Sequence, residues 1–284
     1  MKIINAVDKI ATCYENGVFN ENRWEEYIEN IHPQLKDLCL NDFNEAISTG
    51  LVTFEKDFLP VLNSALTNEK SREEAVFSFK KITENLDDKV VARFGKTIDV
   101  TVVLYLGLCN GAGWVVDIDN ETYCLLGIEK IIELGWADVN SMLGLVYHEL
   151  GHVYHNRYGV LERDLNDSKH KFLWQLFVEG VAMVFEQTLV GNYDYFHQNK
   201  DGWKDWCDKN LRLIAKDFYL DLNEMKANNQ RYFGDWVYYE GRADVGYYLG
   251  ARFVQFICSK FQFNGILSFD EKKVESLYEE FMKA

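Results

Sequence analysis

From position 21 to about position 85 apolar residues recur at helical spacing in otherwise polar text, as in Trp24, Tyr27, Ile28 and Ile31, which predicts a helical lead-in. Within it, Ser71-Arg72-Glu73-Glu74 reads as a capping box opening a further helix. Between residues 98 and 129 the texture changes to β-branched and aromatic residues punctuated by glycine, and about three strands are expected there. Past Asp138 helical spacing returns. One helix is predicted from a cap at Asn140 or Ser141 to Tyr158, stopped by Gly159, and a second from near Ser168 to just before Gly191. A third covers about 240–260, and a last opens with the capping box Ser268-Phe269-Asp270-Glu271. With prolines at only Pro33 and Pro60, few obligatory breakers interrupt these segments, so helix should dominate.

Composition narrows the class. In 284 residues, 48% are hydrophobic and 15% aromatic, enough to build a core and too much for a disordered chain. Thirty basic against 45 acidic side chains leave a net charge of −15, which argues against nucleic acid and anionic membrane surfaces as partners. The six cysteines form no C-x-x-C pair and are expected to be reduced thiols. The opening segment carries Asp8 and Lys9 where a signal peptide would be apolar, and no uncharged run reaches the roughly 18–20 residues of a membrane span. A cytoplasmic protein is the expectation.

The chemistry concentrates in His148-Glu149-Leu150-Gly151-His152, an H-E-x-x-H pattern on a predicted helix. Residues i and i+4 stand about 6 Å apart along a helix axis and about 40° around it, so both imidazoles can reach one ion. Glu149, about 100° round, falls at the open metal position, where a carboxylate can take a proton from water. The bland alternative is a pair of histidines satisfied at a lobe interface.

A catalytic zinc needs a third protein ligand. His155 lies about 10 Å along the axis from His148, too far to share the ion, and the H-E-x-x-H-x-x-G-x-x-H extension fails because positions 155 and 158 are His and Tyr. If the next helix returns antiparallel, Glu179 lies about 16 Å into it, level with His148, while Glu186 lies about 27 Å in and overshoots. Glu179 is the expected ligand of one zinc ion per chain, with Glu186 as the alternative.

The motif and the later Phe177-Val178-Glu179-Gly180-Val181-Ala182 resemble the H-E-x-x-H and E-G-x-A of gluzincin-type zinc metallopeptidases. Gly246-Tyr247-Tyr248-Leu249-Gly250 is similar to a segment of the bacterial group of predicted zinc-dependent proteases known as DUF2268. The resemblance covers residues 148–252. It departs at Met183, where many gluzincins carry Asp four residues after the ligand glutamate. It implies a peptidase whose substrate pairs with an edge strand, and the bend Asn110-Gly111-Ala112-Gly113-Trp114 could flank such a strand, making Gly111 and Trp114 candidate substrate-binding residues.

Arg242 is a candidate for a substrate carboxylate or oxyanion, against the commoner solvated or ion-paired arginine. Gly144 and Gly151 on one helix, and Ala243, Gly246 and Gly250 on another, form small-residue stripes suited to close packing. If the second stripe packs near the zinc helix, Tyr247 stands at its rim as an oxyanion donor and Tyr248 points away; Tyr247 otherwise packs in the core. The aromatics of 191–239 line a pocket or build a second core cluster.

The expectation is therefore an α+β, helix-rich fold with a small N-terminal sheet. Residues 1–137 hold the helical lead-in and sheet lobe and 138–284 a helical lobe with the zinc site, or the two form one continuous catalytic domain. The expected activity is zinc-dependent hydrolysis of a peptide or protein substrate with Glu149 as general base. A non-catalytic metal-binding interaction module and a metal-dependent hydrolase of a non-peptide bond are the alternatives.

Overall fold

The computed structural model describes residues 1–50, 52–234 and 236–284. Its strands are β1 (Lys2–Asn5), the short pair β2 (Tyr14–Glu15) and β3 (Val18–Phe19), β4 (Thr101–Tyr105), β5 (Gly113–Ile118) and β6 (Glu121–Gly127). Helices α1 (Glu21–Glu29), α2 (Pro33–Ser48), α3 (Leu59–Thr67), α4 (Glu69–Thr83) and α5 (Leu86–Phe94) form the lead-in. Then come α6 (Ile128–Glu133), α7 (Val139–Tyr158), α8 (Ser168–Val190), α9 (Trp203–Asp221), α10 (Val245–Cys258), α11 (Phe263–Ile266) and α12 (Glu271–Phe281). This is the α+β class that the patterning predicts. The chain forms two compact units, Met1–Glu149 and Leu150–Ala284, the boundary falling within α7. Among the described residues no helix is long and apolar enough to cross a membrane.

In the first unit, the order β1-β4-β6-β5 makes a mixed sheet, parallel except for β5, which runs antiparallel to β6. The central β4, TVVLY, is buried throughout, as suits a β-branched run covered on both faces. Asp119 and Asn120, with φ of 52° and 66°, close the β5–β6 hairpin in the left-handed conformation that two-residue turns require and that Asx side chains tolerate. Trp114 pairs with Leu125 and Val115 with Cys124, leaving the other side of β5 as a sheet edge. The first residue after β4 is clamped by α1: the Trp24 indole N–H donates to Leu106 O (2.9 Å) and Leu106 N–H donates to the Tyr27 hydroxyl (3.0 Å).

Several predicted boundaries move. α4 opens at Glu69 because Asn68 caps it, accepting from Ser71 N (3.3 Å), so Ser71 lies inside the first turn instead of at the cap. Asp138 does the same for α7, accepting from Asn140 N (2.9 Å) and Ser141 N (3.2 Å). Asp270, not Ser268, caps α12 through Lys273 N (2.8 Å). In each case an Asx carboxyl or amide offers the better acceptor for the first-turn N–H groups. α10 begins only at Val245, since Glu240, Gly241 and Asp244 have positive φ and Tyr239 and Arg242 exchange two backbone hydrogen bonds. The short strand β1 and the helix α9 lie outside the elements that the sequence pattern predicts.

In the second unit α8 is the central helix, with most of the residues from Leu173 to Gln187 buried and Gln175, Val178 and Glu179 half-buried. Two glycine contacts fix its neighbours. A β-carbon on Gly151 of α7 would lie 2.7 Å from Ala182 Cα, and one on Gly250 of α10 would lie 2.7 Å from Leu176 O and 3.0 Å from Gly180 N. The α10 stripe therefore packs on α8, where the sequence suggested the zinc helix, and Gly246 packs on the Phe233 ring. The 191–239 aromatics divide: Phe196, Trp203, Phe218, Tyr232, Phe233 and Tyr239 are buried, Tyr195, Trp206 and Tyr219 half-buried, and Tyr193, Trp236 and Tyr238 exposed.

Candidate metal centre

Helical phase brings the site together. On α8, Gly180 faces α10 and Ala182 faces α7, about 160° apart; Glu179 projects about 100° from the first and about 60° from the second, hence between them. His148 and His152 are one turn apart on α7. Their ring nitrogens and one Glu179 carboxylate oxygen all lie within 4.8 Å of one another, with His148 buried and the other two half-buried. His152 Nε2 stands 3.4 Å from Glu179 Oε2.

That spacing suits an ion. Ligand atoms held tetrahedrally at about 2.0–2.1 Å from zinc are about 3.3 Å apart, and two imidazoles with one carboxylate are a familiar donor set for a zinc with one open position. The residues present thus fit the metal that the pattern implies.

Glu149 is buried in the first unit, directly against the start of the edge strand. A β-carbon on Gly113 would fall 2.6 Å from Glu149 Oε1 and 2.8 Å from its Cδ. Cys124, opposite Val115 on β6, has its thiol pKa raised by burial and further by the Glu149 charge.

The rejected ligands have other partners. His155 is fully buried and its Nε2–H donates to Leu267 O (3.2 Å); burial, then the neighbouring His152, lowers its pKa to about 4. Glu186 is fully buried and bonds His197 Nδ1 at 3.0 Å.

The remaining candidates are dispersed. Trp114 lies on β5 and its indole N–H donates to the Tyr105 hydroxyl (2.9 Å). Gly111, at φ 155°, precedes the strand, and its carbonyl lies where a β-carbon on Gly127 would collide, 2.6 Å away. Arg242 is half-buried in the turn before α10, bound through its backbone to Tyr239. Tyr247 is half-buried on α10, its ring edge-on to Phe233 (centroids 5.8 Å), while Tyr248 is buried and donates to Asp208 (2.6 Å). Gly113 belongs to a segment with the pattern of a bend, and its contact with Glu149 leaves no local signal in the sequence. Glu129 likewise leaves no local signal, because in CLLGIEKIIE it and Glu133 both look like ordinary helix surface positions.

No protein-family model, no curated protein and no solved structure matches the chain.

Proposed function

We propose that this chain is a zinc-dependent hydrolase, a peptidase of gluzincin type. The observation that carries the reading is the convergence of His148, His152 and Glu179 within 4.8 Å, with the non-ligand carboxylate of Glu149 between the two histidines in sequence. A structural metal site has no use for that carboxylate and usually closes its fourth position with protein.

Bound zinc would supply a Lewis acid and lower the pKa of water. His148 and His152 would hold it as neutral imidazole donors, and Glu179 would contribute one negative charge. Glu149 takes the proton of the attacking water and delivers it to the leaving nitrogen. Gly113, lacking a side chain, gives that carboxylate its place beside the edge strand, along which an extended peptide can pair. Tyr247 donates to the oxyanion. All six cysteines are free, which supports a reducing, cytoplasmic setting.

Elemental analysis of the purified protein, followed by cleavage of a peptide library with and without chelator, tests the proposal. One zinc per chain with chelator-sensitive cleavage is expected; metal-loaded protein that cleaves no peptide would overturn it.

A further inference from the structure

Glu129 is a fully buried carboxylate outside the proposed metal centre. It sits in the first turn of α6, and its two oxygens are divided between two amides of the 106–112 loop. Oε2 accepts from Gly107 N and Oε1 from Cys109 N, both at 3.0 Å. The loop packs so closely on this carboxylate that a β-carbon at Gly107 would lie 2.7 Å from Oε1 and one at Gly127 would lie 3.1 Å from it. Cys109 is held at φ 60°, a conformation that non-glycine residues avoid unless their surroundings impose it.

The other end of the loop is the start of β5. Gly127 N–H donates to Ala112 O (3.1 Å), and the next residue, Gly113, is the seat of Glu149. Trp114 is bound through Tyr105, whose hydroxyl lies against the same Gly107 position. A short loop, with its Gly107, Leu108 and Cys109 amides and its Ala112 carbonyl hydrogen-bonded, thus connects the Glu129 carboxylate to the Glu149 carboxylate.

We infer that Glu129 is a positioning residue of the proposed hydrolytic site: its carboxylate fastens the 106–112 loop and thereby sets Gly113 and the start of β5 against Glu149. This rests on the peptidase reading for its catalytic consequence but not for the clasp itself. An ionised carboxylate accepts from both amides; a protonated one must donate its own proton and holds them less well. Burial raises the Glu129 pKa to about 7, against the backbone N–H donors and Lys130, which lower it. Tyr14, Tyr27 on α1, Cys39 on α2, Tyr105 on β4 and Cys109 in the loop are the other titratable groups around it.

The test compares zinc-loaded wild type with Glu129→Gln by hydrogen exchange, zinc content and hydrolysis of a quenched fluorogenic peptide mixture. The amide keeps the shape but offers one acceptor and a donor facing a backbone N–H. Exchange in 106–118 should rise at least tenfold while zinc content is unchanged, and kcat should fall about ten- to a hundredfold with KM little altered. Wild-type protection at residues 107 and 109, corrected for intrinsic rates, should fall as the pH drops through about 7, and this dependence should vanish in the variant. Wild-type exchange in the variant's loop, or full turnover, would overturn the inference. Should the variant not fold, wild-type exchange between pH 6 and 8 decides alone: protection independent of pH refutes the clasp. If zinc-loaded wild type cleaves nothing, the peptidase reading and the positioning role fall together, whereas the exchange measurements still judge the clasp.

Discussion

The Glu149 carboxylate rests on the bare α-carbon of Gly113, where a methyl group would intrude to 2.6 Å of Oε1 and 2.7 Å of Cγ. Gly113 does not have the positive φ that would make alanine strained, so the effect of a substitution there is steric and directed at one side chain. Gly113→Ala should displace the carboxylate, retain one zinc and lower turnover about a hundredfold. Kinetics with parallel metal analysis check this; unaltered kcat would show that Glu149 has room elsewhere.

Glu149→Gln removes the base and leaves the volume. Zinc content and thermal midpoint should stay near wild type while hydrolysis falls by about two to four orders of magnitude. Substantial residual turnover would remove Glu149 from the proposed role.

Glu179 and Glu186 lie two turns apart on α8 and should separate cleanly. Glu179→Ala takes one of three donors from the metal cluster and should abolish stoichiometric zinc binding. Glu186→Ala breaks a fully buried pair with His197, so it should keep zinc yet lose about 2–5 kcal/mol of stability. Elemental analysis and urea unfolding read the two effects, and the reverse ranking would reassign the ligand.

The three metal-cluster residues were legible because helical periodicity converts sequence spacing into three-dimensional spacing with little freedom. His148 and His152 need only the helix, and Glu179 needs only an antiparallel return. Gly113 and Glu129 were not legible, since each matters through a contact between segments that no local pattern encodes. The same holds for β1, whose four residues gain their place by pairing with β4 about a hundred positions away. The caps failed for a local reason: Asn68, Asp138 and Asp270 stood near serines that matched a motif equally well.

Two buried groups should impose opposing pH dependences on the zinc-free protein. Glu129, raised from 4.5 to about 7 by burial, contributes stability that is present below pH 4.5 and lost as pH rises through 7. His155, lowered from 6.5 to about 4, contributes stability that is present above pH 6.5 and lost as pH falls through 4. Each shift corresponds to about 3 kcal/mol, so between pH 4.5 and 6.5 they largely offset. Urea unfolding should show stability rising more steeply with pH in Glu129→Gln and falling with pH in His155→Gln. Variants whose profiles parallel wild type would refute the assignments. The ionised carboxylate that best holds the 106–112 loop is also the form that costs most to bury.

Tyr247 offers the remaining test of the proposed chemistry. Gly250 and Val254 mark the face of α10 that meets Gly180 of α8, and Tyr247 projects about 60° from Gly250, on the same side as Val254. Its ring is braced edge-on by Phe233, and it is half-buried. Tyr248 is committed to Asp208 and cannot replace it. A phenol that donates to a developing oxyanion contributes about 3 kcal/mol to the transition state and little to the folded state. Tyr247→Phe should therefore lower kcat about a hundredfold with zinc content and thermal midpoint preserved, and Tyr248→Phe should lower stability by about 1–2 kcal/mol through the lost hydrogen bond to Asp208, which keeps Arg252 and Lys204. Unchanged kinetics in Tyr247→Phe would leave its hydroxyl a packing accessory of α10 and assign oxyanion stabilisation to another donor.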